Sequence, residues 1–228
     1  MIIGTGLVAS AFAHHAFTDD KNTIIFASGV SNSHETNTAE FSRERDLLLK
    51  ALEHDKLIFY FSTCSIEDPE LQTSAYVVHK TAMEALVSST NKYGIFRLPQ
   101  VVGRTSNPNT LTNYLYRHIK SGTPFHVWTQ ASRNIIDIDD VASIVNHLHN
   151  SKKIHNITVN IACPFSISVL KLVNTFELIL KARANYKTVV AGGSYFIDAA
   201  VASQAARELG IAFDETYIEN LLRKYYSE

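Results

Sequence analysis

Short apolar runs alternate with longer amphipathic stretches along this chain. The runs fall near 1–4, 23–28, 57–62, 94–98 and 157–162 and predict strands. Between and after them, apolar residues recurring every three to four positions predict helices near 7–17, 39–54, 74–91, 110–121, 139–150, 166–181, 198–209 and 215–226. In one of these, Val141, Ile144, Val145 and Leu148 share a face, and Asp139 or Asp140 is the expected start. Such alternation predicts an α/β fold with a parallel sheet covered by helices on both faces. No internal repeat and no low-complexity linker interrupts it.

Composition narrows the class. A chain of 228 residues, 46% of them apolar, suits one α/β domain with a small appended lobe. A formal net charge of −1 gives no electrostatic footprint for nucleic acid. No apolar run approaches the roughly 20 residues of a membrane span. Met1 leads directly into the first strand, so no signal peptide is expected. Cys64 and Cys163 are far apart, the ten histidines lack partners at metal-ligand spacing, and no metal is expected. A cytoplasmic protein is the simple reading.

Two segments carry chemistry. The first is an apolar strand, then Gly4-Thr5-Gly6-Leu7-Val8-Ala9, then an apolar helix start. Its Gly-x-Gly-x-x-Ala pattern suits a tight turn at Gly4, close approach of a pyrophosphate at Gly6, and helix–strand packing at the third small residue. Free amides at the helix start would face the phosphates. The second is Tyr76-Val77-Val78-His79-Lys80, preceded by Ser62-Thr63-Cys64-Ser65. Tyr and Lys four apart share a helix face. A lysine ammonium near a phenol favours the phenolate, and such a tyrosine can exchange a proton with a sugar or alcohol oxygen. Thr63 could hold that same oxygen. His79 lies on another face of the helix, and Glu84, four residues after Lys80, is placed to pair with it.

With these two segments, further ones resemble the extended short-chain dehydrogenase/reductases, specifically the NAD-dependent epimerase/dehydratase family that modifies nucleotide sugars. They are Ile24-Ile25-Phe26-Ala27-Ser28-Gly29-Val30, Phe96-Arg97-Leu98-Pro99-Gln100-Val101-Val102-Gly103, Ser132-Arg133-Asn134-Ile135-Ile136-Asp137-Ile138-Asp139-Asp140-Val141-Ala142, and Ala205-Ala206-Arg207-Glu208-Leu209-Gly210-Ile211. The resemblance runs from end to end. It implies a Rossmann-type doubly wound parallel sheet as a single domain over 1–228, with a small C-terminal substrate lobe built from segments near 104–135 and 163–228.

It also implies roles. Thr63, Tyr76 and Lys80 are the candidate catalytic residues, with Ser62 and Ser65 as alternatives to Thr63. NAD or NADP would meet Gly4, Gly6, Leu7, Val8, Ala27, Ser28, Lys80, Pro99 and Val101. A nucleotide-sugar substrate would meet Ser65, Gln100 and Arg133, the arginine fork suiting a diphosphate. Family 4,6-dehydratases carry Asp then Glu directly after the Thr. Here Cys64 and Ser65 stand there, which leaves keto-sugar reduction or epimerization. Helices near 39–54 and 74–91 resemble those of a family homodimer, with Leu47, Leu48, Ala51 and Leu52 on one and Ala82, Met83, Leu86 and Val87 on the other. The alternative is that these stripes face their own sheet.

Two departures stand out. After the first helix the chain passes through Thr18-Asp19-Asp20-Lys21-Asn22 straight into the strand at Thr23, where the family has two further strands. The sheet is therefore expected to lack them, together with the residue that reads the adenosine ribose. The connection from Thr63 to Tyr76, through Glu67-Asp68-Pro69-Glu70, is also short, which predicts a more open pocket. The missing strands favour a second reading, a catalytically degenerate Rossmann-fold binding or regulatory protein.

Overall fold

The fold, taken from a computed structural model, is described for residues 1–14 and 21–227. The end of the first expected helix, with His15, Asp19 and Asp20, lies outside them. In chain order the elements are β1 (Ile2–Ile3), α1 (Leu7–His14), β2 (Thr23–Phe26), α2 (Thr38–Leu52), β3 (Leu57–Thr63), α3 (Ala75–Ser88), β4 (Tyr93–Leu98), β5 (Gln100–Val102) and α4 (Leu111–Ser121). They continue as β6 (Phe125–Trp128), β7 (Ser132–Arg133), β8 (Ile135–Asp137), α5 (Ile138–Asn150), β9 (Ile157–Asn160), β10 (Ile167–Ser168), α6 (Val169–Leu180), β11 (Tyr186–Val189), α7 (Ala200–Leu209) and α8 (Tyr217–Tyr226). A 3-10 turn, Cys64–Glu67, follows β3.

The main sheet has the order β1-β2-β3-β4-β9, with every pairing parallel. It is a Rossmann-type sheet, and among the described residues no strand lies beyond β1, which is its edge, as the short connection after the first helix predicts. The run Leu57–Thr63 shows why apolar residues follow one another without alternation in a sheet buried on both faces. Phe59 and Phe61 enter a core with Phe12, Phe96, Val141 and Val145. Ile58 and Tyr60 point the other way, into a core with Ile24, Leu48, Met83 and Val87. A third core joins α4, α6 and α8 around Leu115, Phe176 and Leu222. It underlies short strand pairs, β6 with β11, β7 with β10 and β5 with β8.

Polar side chains set the helix starts. Asn37, Ser74, Thr110, Asp137 and Ser168 each accept a bond from a free amide of the first turn. The cap of α5 is thus Asp137 rather than Asp139 or Asp140. Asp139 instead bonds Lys224, and Asp140 accepts from Tyr217 at 2.6 Å, which ties α8 to α5. The helix expected from 166 begins later, because Ile167–Ser168 pairs with Ser132–Arg133 before Ser168 caps it.

Of the apolar stripes considered for a dimer, every residue but the exposed Ala82 faces inward. Leu48, Ala51, Met83 and Val87 are buried in the chain's own core, with Leu47, Leu52 and Leu86 packed against it. This is the outcome expected if each helix covers its own sheet. No helix among the described residues is long and apolar enough to cross a membrane.

Candidate active site

Strand β3 delivers Thr63 to the carboxyl edge of the sheet. Its extended backbone (φ −132°, ψ 140°) ends the strand, and its hydroxyl accepts from the Ser65 amide at 3.1 Å to start the 3-10 turn. Ser74 caps α3, which places Tyr76 in the first turn. There the phenol lies beside the Thr63 side chain, near enough for Thr63 to favour its ionised form. Two of the candidate catalytic residues are therefore neighbours. Strand alternation turns Ser62 to the opposite side, toward the core of Ile58 and Tyr60. Its buried hydroxyl has no partner among the described residues.

The electrostatics differ from the expected ones. Tyr76 is pushed up to about 12, first by burial, against the opposing influence of the neighbouring Thr63 and with a further rise from the Glu44 charge. Lys80 does not pull it down, because the ammonium is directed elsewhere. Lys80 Nζ donates to Glu44 Oε1 at 2.9 Å, to the Tyr60 hydroxyl at 3.1 Å and to the Phe61 carbonyl at 3.4 Å. An ammonium has three donors, so all three are engaged. Nor does Glu84 pair with Lys80. Arg97 on β4 grips it with two bonds, Nε–Oε1 at 2.9 Å and Nη2–Oε2 at 2.7 Å, a match of fork to carboxylate that a lysine cannot make.

Glu44, which the sequence reading did not single out, is the hub behind this face. Besides Lys80 it accepts from the Tyr60 hydroxyl at 2.7 Å and the Val30 amide at 2.7 Å. His79 Nε2 lies 3.0 Å from its other oxygen, with the His79 ring stacked on Phe41. Burial alone would raise the Glu44 carboxyl. The His79 hydrogen bond, the Lys80 charge and the Val30 and Tyr60 bonds together bring it down to about 2.

The amino-terminal turn has the geometry its glycines predict. Gly4 adopts φ +130°, and a Cβ there would lie 2.3 Å from the Ala27 carbonyl oxygen, so only glycine lets β1 pass this close to the loop after β2. A Cβ on Gly6 would meet nothing within 4 Å. Leu7 and Val8 open α1 beside it. Ala27 and Ser28 lie across the turn, and Arg43 of α2 bonds the Ser28 carbonyl and hydroxyl, each at 3.2 Å. Pro99 follows β4, while Gln100 and Val101 lie on β5, paired to Ile135 and Ile136. These residues fit a dinucleotide at its pyrophosphate end: an open glycine turn, free helix-start amides and a loop pressed against them. Among the described residues, no second strand end supplies an adenosine contact.

On the substrate side, Arg133 of β7 donates to the Ser132 carbonyl at 2.7 Å and the Gly193 carbonyl at 3.4 Å. Its other guanidinium nitrogens have no partner among the described residues. The segment after β11 passes over this region. Tyr195, another residue missed in the sequence, lies near Ser65 and Arg133, and burial pushes its phenol up to about 12. A Cβ on Gly193 would lie 3.1 Å from Glu70 Oε1. Gly193 and Tyr195 thus approach the short connection between Thr63 and Tyr76. Glu67 accepts from Arg97 at 3.3 Å and Asn160 at 3.0 Å, and Asn160 also bonds the Asp198 carbonyl at 3.0 Å. This links the covering segment to the sheet. Among the described residues, no group of three His, Cys, Asp or Glu is placed to hold a metal.

Comparison with known proteins agrees with this architecture. The family model described as "NAD dependent epimerase/dehydratase family" matches residues 48–162, half of the chain. The chain belongs to the NAD-dependent epimerase/dehydratase family. Among solved structures, the UDP-glucuronic acid 4-epimerase from Bacillus cereus, in complex with UDP-glucuronic acid and NAD, is similar with a TM-score of 0.71 and 19% identity. That match covers 97% of this chain and 77% of the epimerase. The dTDP-glucose 4,6-dehydratase from Bacillus anthracis, in complex with NAD, matches at 0.70 and 13% identity over 97% of this chain and 77% of that one. RMD from Pseudomonas aeruginosa, complexed with NADPH, matches at 0.66 and 16% identity over 97% and 84%. At such identities the likeness is one of fold. No protein of curated function matches the sequence significantly.

Proposed function

We propose that this protein is an NAD(P)-dependent oxidoreductase acting on a nucleotide-linked sugar, by keto-sugar reduction or epimerization. The observation that carries the reading is the placing of Thr63, at the end of β3, beside Tyr76, in the first turn of α3, with the Gly4–Gly6 turn following β1 of the same parallel sheet. The turn, with Leu7, Val8, Ala27, Ser28, Pro99 and Val101 around it, would hold the dinucleotide, and Lys80 its nicotinamide ribose. Ser65, Gln100 and Arg133 would hold the nucleotide sugar, with 104–135 and 163–228 forming the substrate lobe of a single domain. When bound, the nicotinamide supplies or accepts the hydride.

The chain's own residues do the rest. Thr63 orients the sugar oxygen, and Tyr76 passes a proton to or from it. With its pKa raised to about 12, Tyr76 is protonated at neutral pH. That is the form required to protonate a carbonyl oxygen as hydride reaches its carbon, so the geometry supports reduction. Dehydration is poorly served. Cys64 is fully buried, its thiol is pushed up by burial, and its Sγ donates to the Arg97 carbonyl, while Ser65 carries an alcohol, which is no carboxylic acid or carboxylate.

Calorimetric titration of the cofactor-stripped protein with NADPH and NADH tests the reading. Binding of either on the order of micromolar is expected. A folded protein that binds neither moves the assignment to the second reading, a degenerate Rossmann-fold binding or regulatory protein. The short sheet and the fully engaged Lys80 favour that alternative.

For assembly we propose a homodimer through the outer face of α3. Ala75, Val78, Ala82 and Ala85 are exposed there at helical spacing, with Val78 55% exposed. Size-exclusion with light scattering should give twice the chain mass, and a monomer at all concentrations would rule this out. A cytoplasmic location accompanies the nucleotide-sugar reading.

A further inference from the structure

Glu44 makes no hydrogen bond to the glycine turn or to Thr63 and Tyr76, yet the loop after β2, β3 and α3 converge on it. Its side chain is fully buried, and so is that of Lys80 apart from 3%. Through one oxygen it holds Lys80 and Tyr60, and through the other it holds the Val30 amide and His79. The loop between them is seated on this pair. A Cβ on Gly29 would lie 2.6 Å from Lys80 Nζ and 3.1 Å from Glu44 Oε1. Only the glycine backbone, then, separates the ammonium from the space in front of the loop.

We propose that Glu44 is a positioning residue for the cofactor. It keeps Lys80 charged in a dry site and fixes the Ser28–Val30 loop above it, so that the ammonium can meet the ribose hydroxyls of a nicotinamide cofactor. The proposal rests on the function argued above. The Phe61 carbonyl, the longest of the three Lys80 contacts, is the partner the ammonium can exchange for a ribose hydroxyl while keeping its carboxylate.

Charge makes the carboxylate necessary. Burial pulls Lys80 down from its ordinary value, and Glu44 is the largest opposing influence. Of the other groups facing it, Glu84 helps, Arg43 opposes, and Tyr60 and Tyr76 are phenols held neutral by burial. His79 faces Glu44 rather than Lys80. No second group can replace the Glu44 charge at hydrogen-bond distance from Nζ. Glutamine at position 44 can still accept from Val30, so Glu44→Gln removes the charge while leaving the loop tether a partner.

The test is calorimetric titration with NADPH and NADH at about pH 6 and about pH 9, below and toward the ordinary lysine value. Wild type, Glu44→Gln, Lys80→Met and the double variant are compared. Wild-type affinity is expected to be the same at both pH values. Glu44→Gln should bind roughly tenfold to a hundredfold more weakly at the higher pH and recover at the lower one, as Lys80 regains its proton. Lys80→Met should be weak at both, and the double variant should match it, because Glu44 acts through Lys80.

If Glu44→Gln does not fold, Glu44→Asp retains the charge but retracts it by about one methylene. It should then bind more weakly without pH dependence, and wild-type affinity in that variant would overturn the proposal. So would wild-type affinity of Glu44→Gln at both pH values, or losses from the two single variants that simply add. Wild-type protein that binds neither cofactor overturns this proposal together with the function on which it rests.

Discussion

Tyr76→Phe is expected to lower turnover of a nucleotide-linked keto-sugar by roughly 10²–10⁴-fold, the span usual for a lost general acid. The phenol is buried, so the ring's packing against Val30 and Val77 survives the change, and only the hydroxyl facing Thr63 is lost. Cofactor affinity should therefore stay at the wild-type value in the same titration. A pH profile adds a second check. Because Tyr76 sits near 12, its acid form persists through the neutral range, and reduction should not fall until strongly alkaline pH. Oxidation of the matching alcohol, which needs the phenolate, should rise with pH instead. A phenylalanine variant with near wild-type turnover would remove Tyr76 from the chemistry and leave the binding-protein reading.

The largest expected stability effect is at Glu44. Glu44→Ala leaves the Lys80 ammonium buried with only the Tyr60 hydroxyl and the Phe61 carbonyl, and breaking a buried pair this way costs about 3–5 kcal/mol. Lys80→Met should cost less, because Glu44 would keep His79, Tyr60 and the Val30 amide. Urea denaturation of the two variants checks the order, and equal losses would contradict it. The acid side follows from the same carboxylate. Its folded value of about 2 lies below the ordinary 4.5, so its contribution is fully present above the ordinary value and is lost as pH falls toward 2. That contribution is about 3 kcal/mol by linkage. Lys80 stays protonated throughout this window and does not change the sign.

Much of the frame was legible because the main strands are apolar runs and the helices carry clear stripes. Leu57–Thr63 and Tyr93–Leu98 fall within a residue of the runs that predicted them. The two- to four-residue strands of the third core, such as Ser132–Arg133 with Ile167–Ser168, were not legible. Too few residues repeat to show a period, and their pairing joins segments far apart in sequence. That Thr63 and Tyr76 lie close together was legible because motif spacing reports a local arrangement. Glu44 was missed because a glutamate among Arg43, Arg45 and Asp46 reads as part of a solvated face. The signal was nevertheless present. Phe41, Glu44, Leu48 and Ala51 follow helical spacing, and Glu44 stands on the apolar stripe. Tyr195 lies in a loop of no regular period, and only the path of the chain after β11 brings it to Ser65. The expected fall in the Tyr76 pKa failed for a related reason. Spacing puts Lys80 on the right helix face but does not say which acceptor its ammonium will choose.

The shortened sheet also bears on strand-to-strand aggregation. An unpaired sheet edge offers amides and carbonyls to any extended segment that comes near, and a long flat edge invites aggregation. Here the strand left at the edge is only Ile2–Ile3, and the chain turns sharply away at Gly4. A template of two residues gives an incoming strand little to pair with. The turn that opens the dinucleotide site thus also limits the exposed edge, and extending β1 past Gly4 would lose the turn and lengthen the edge together.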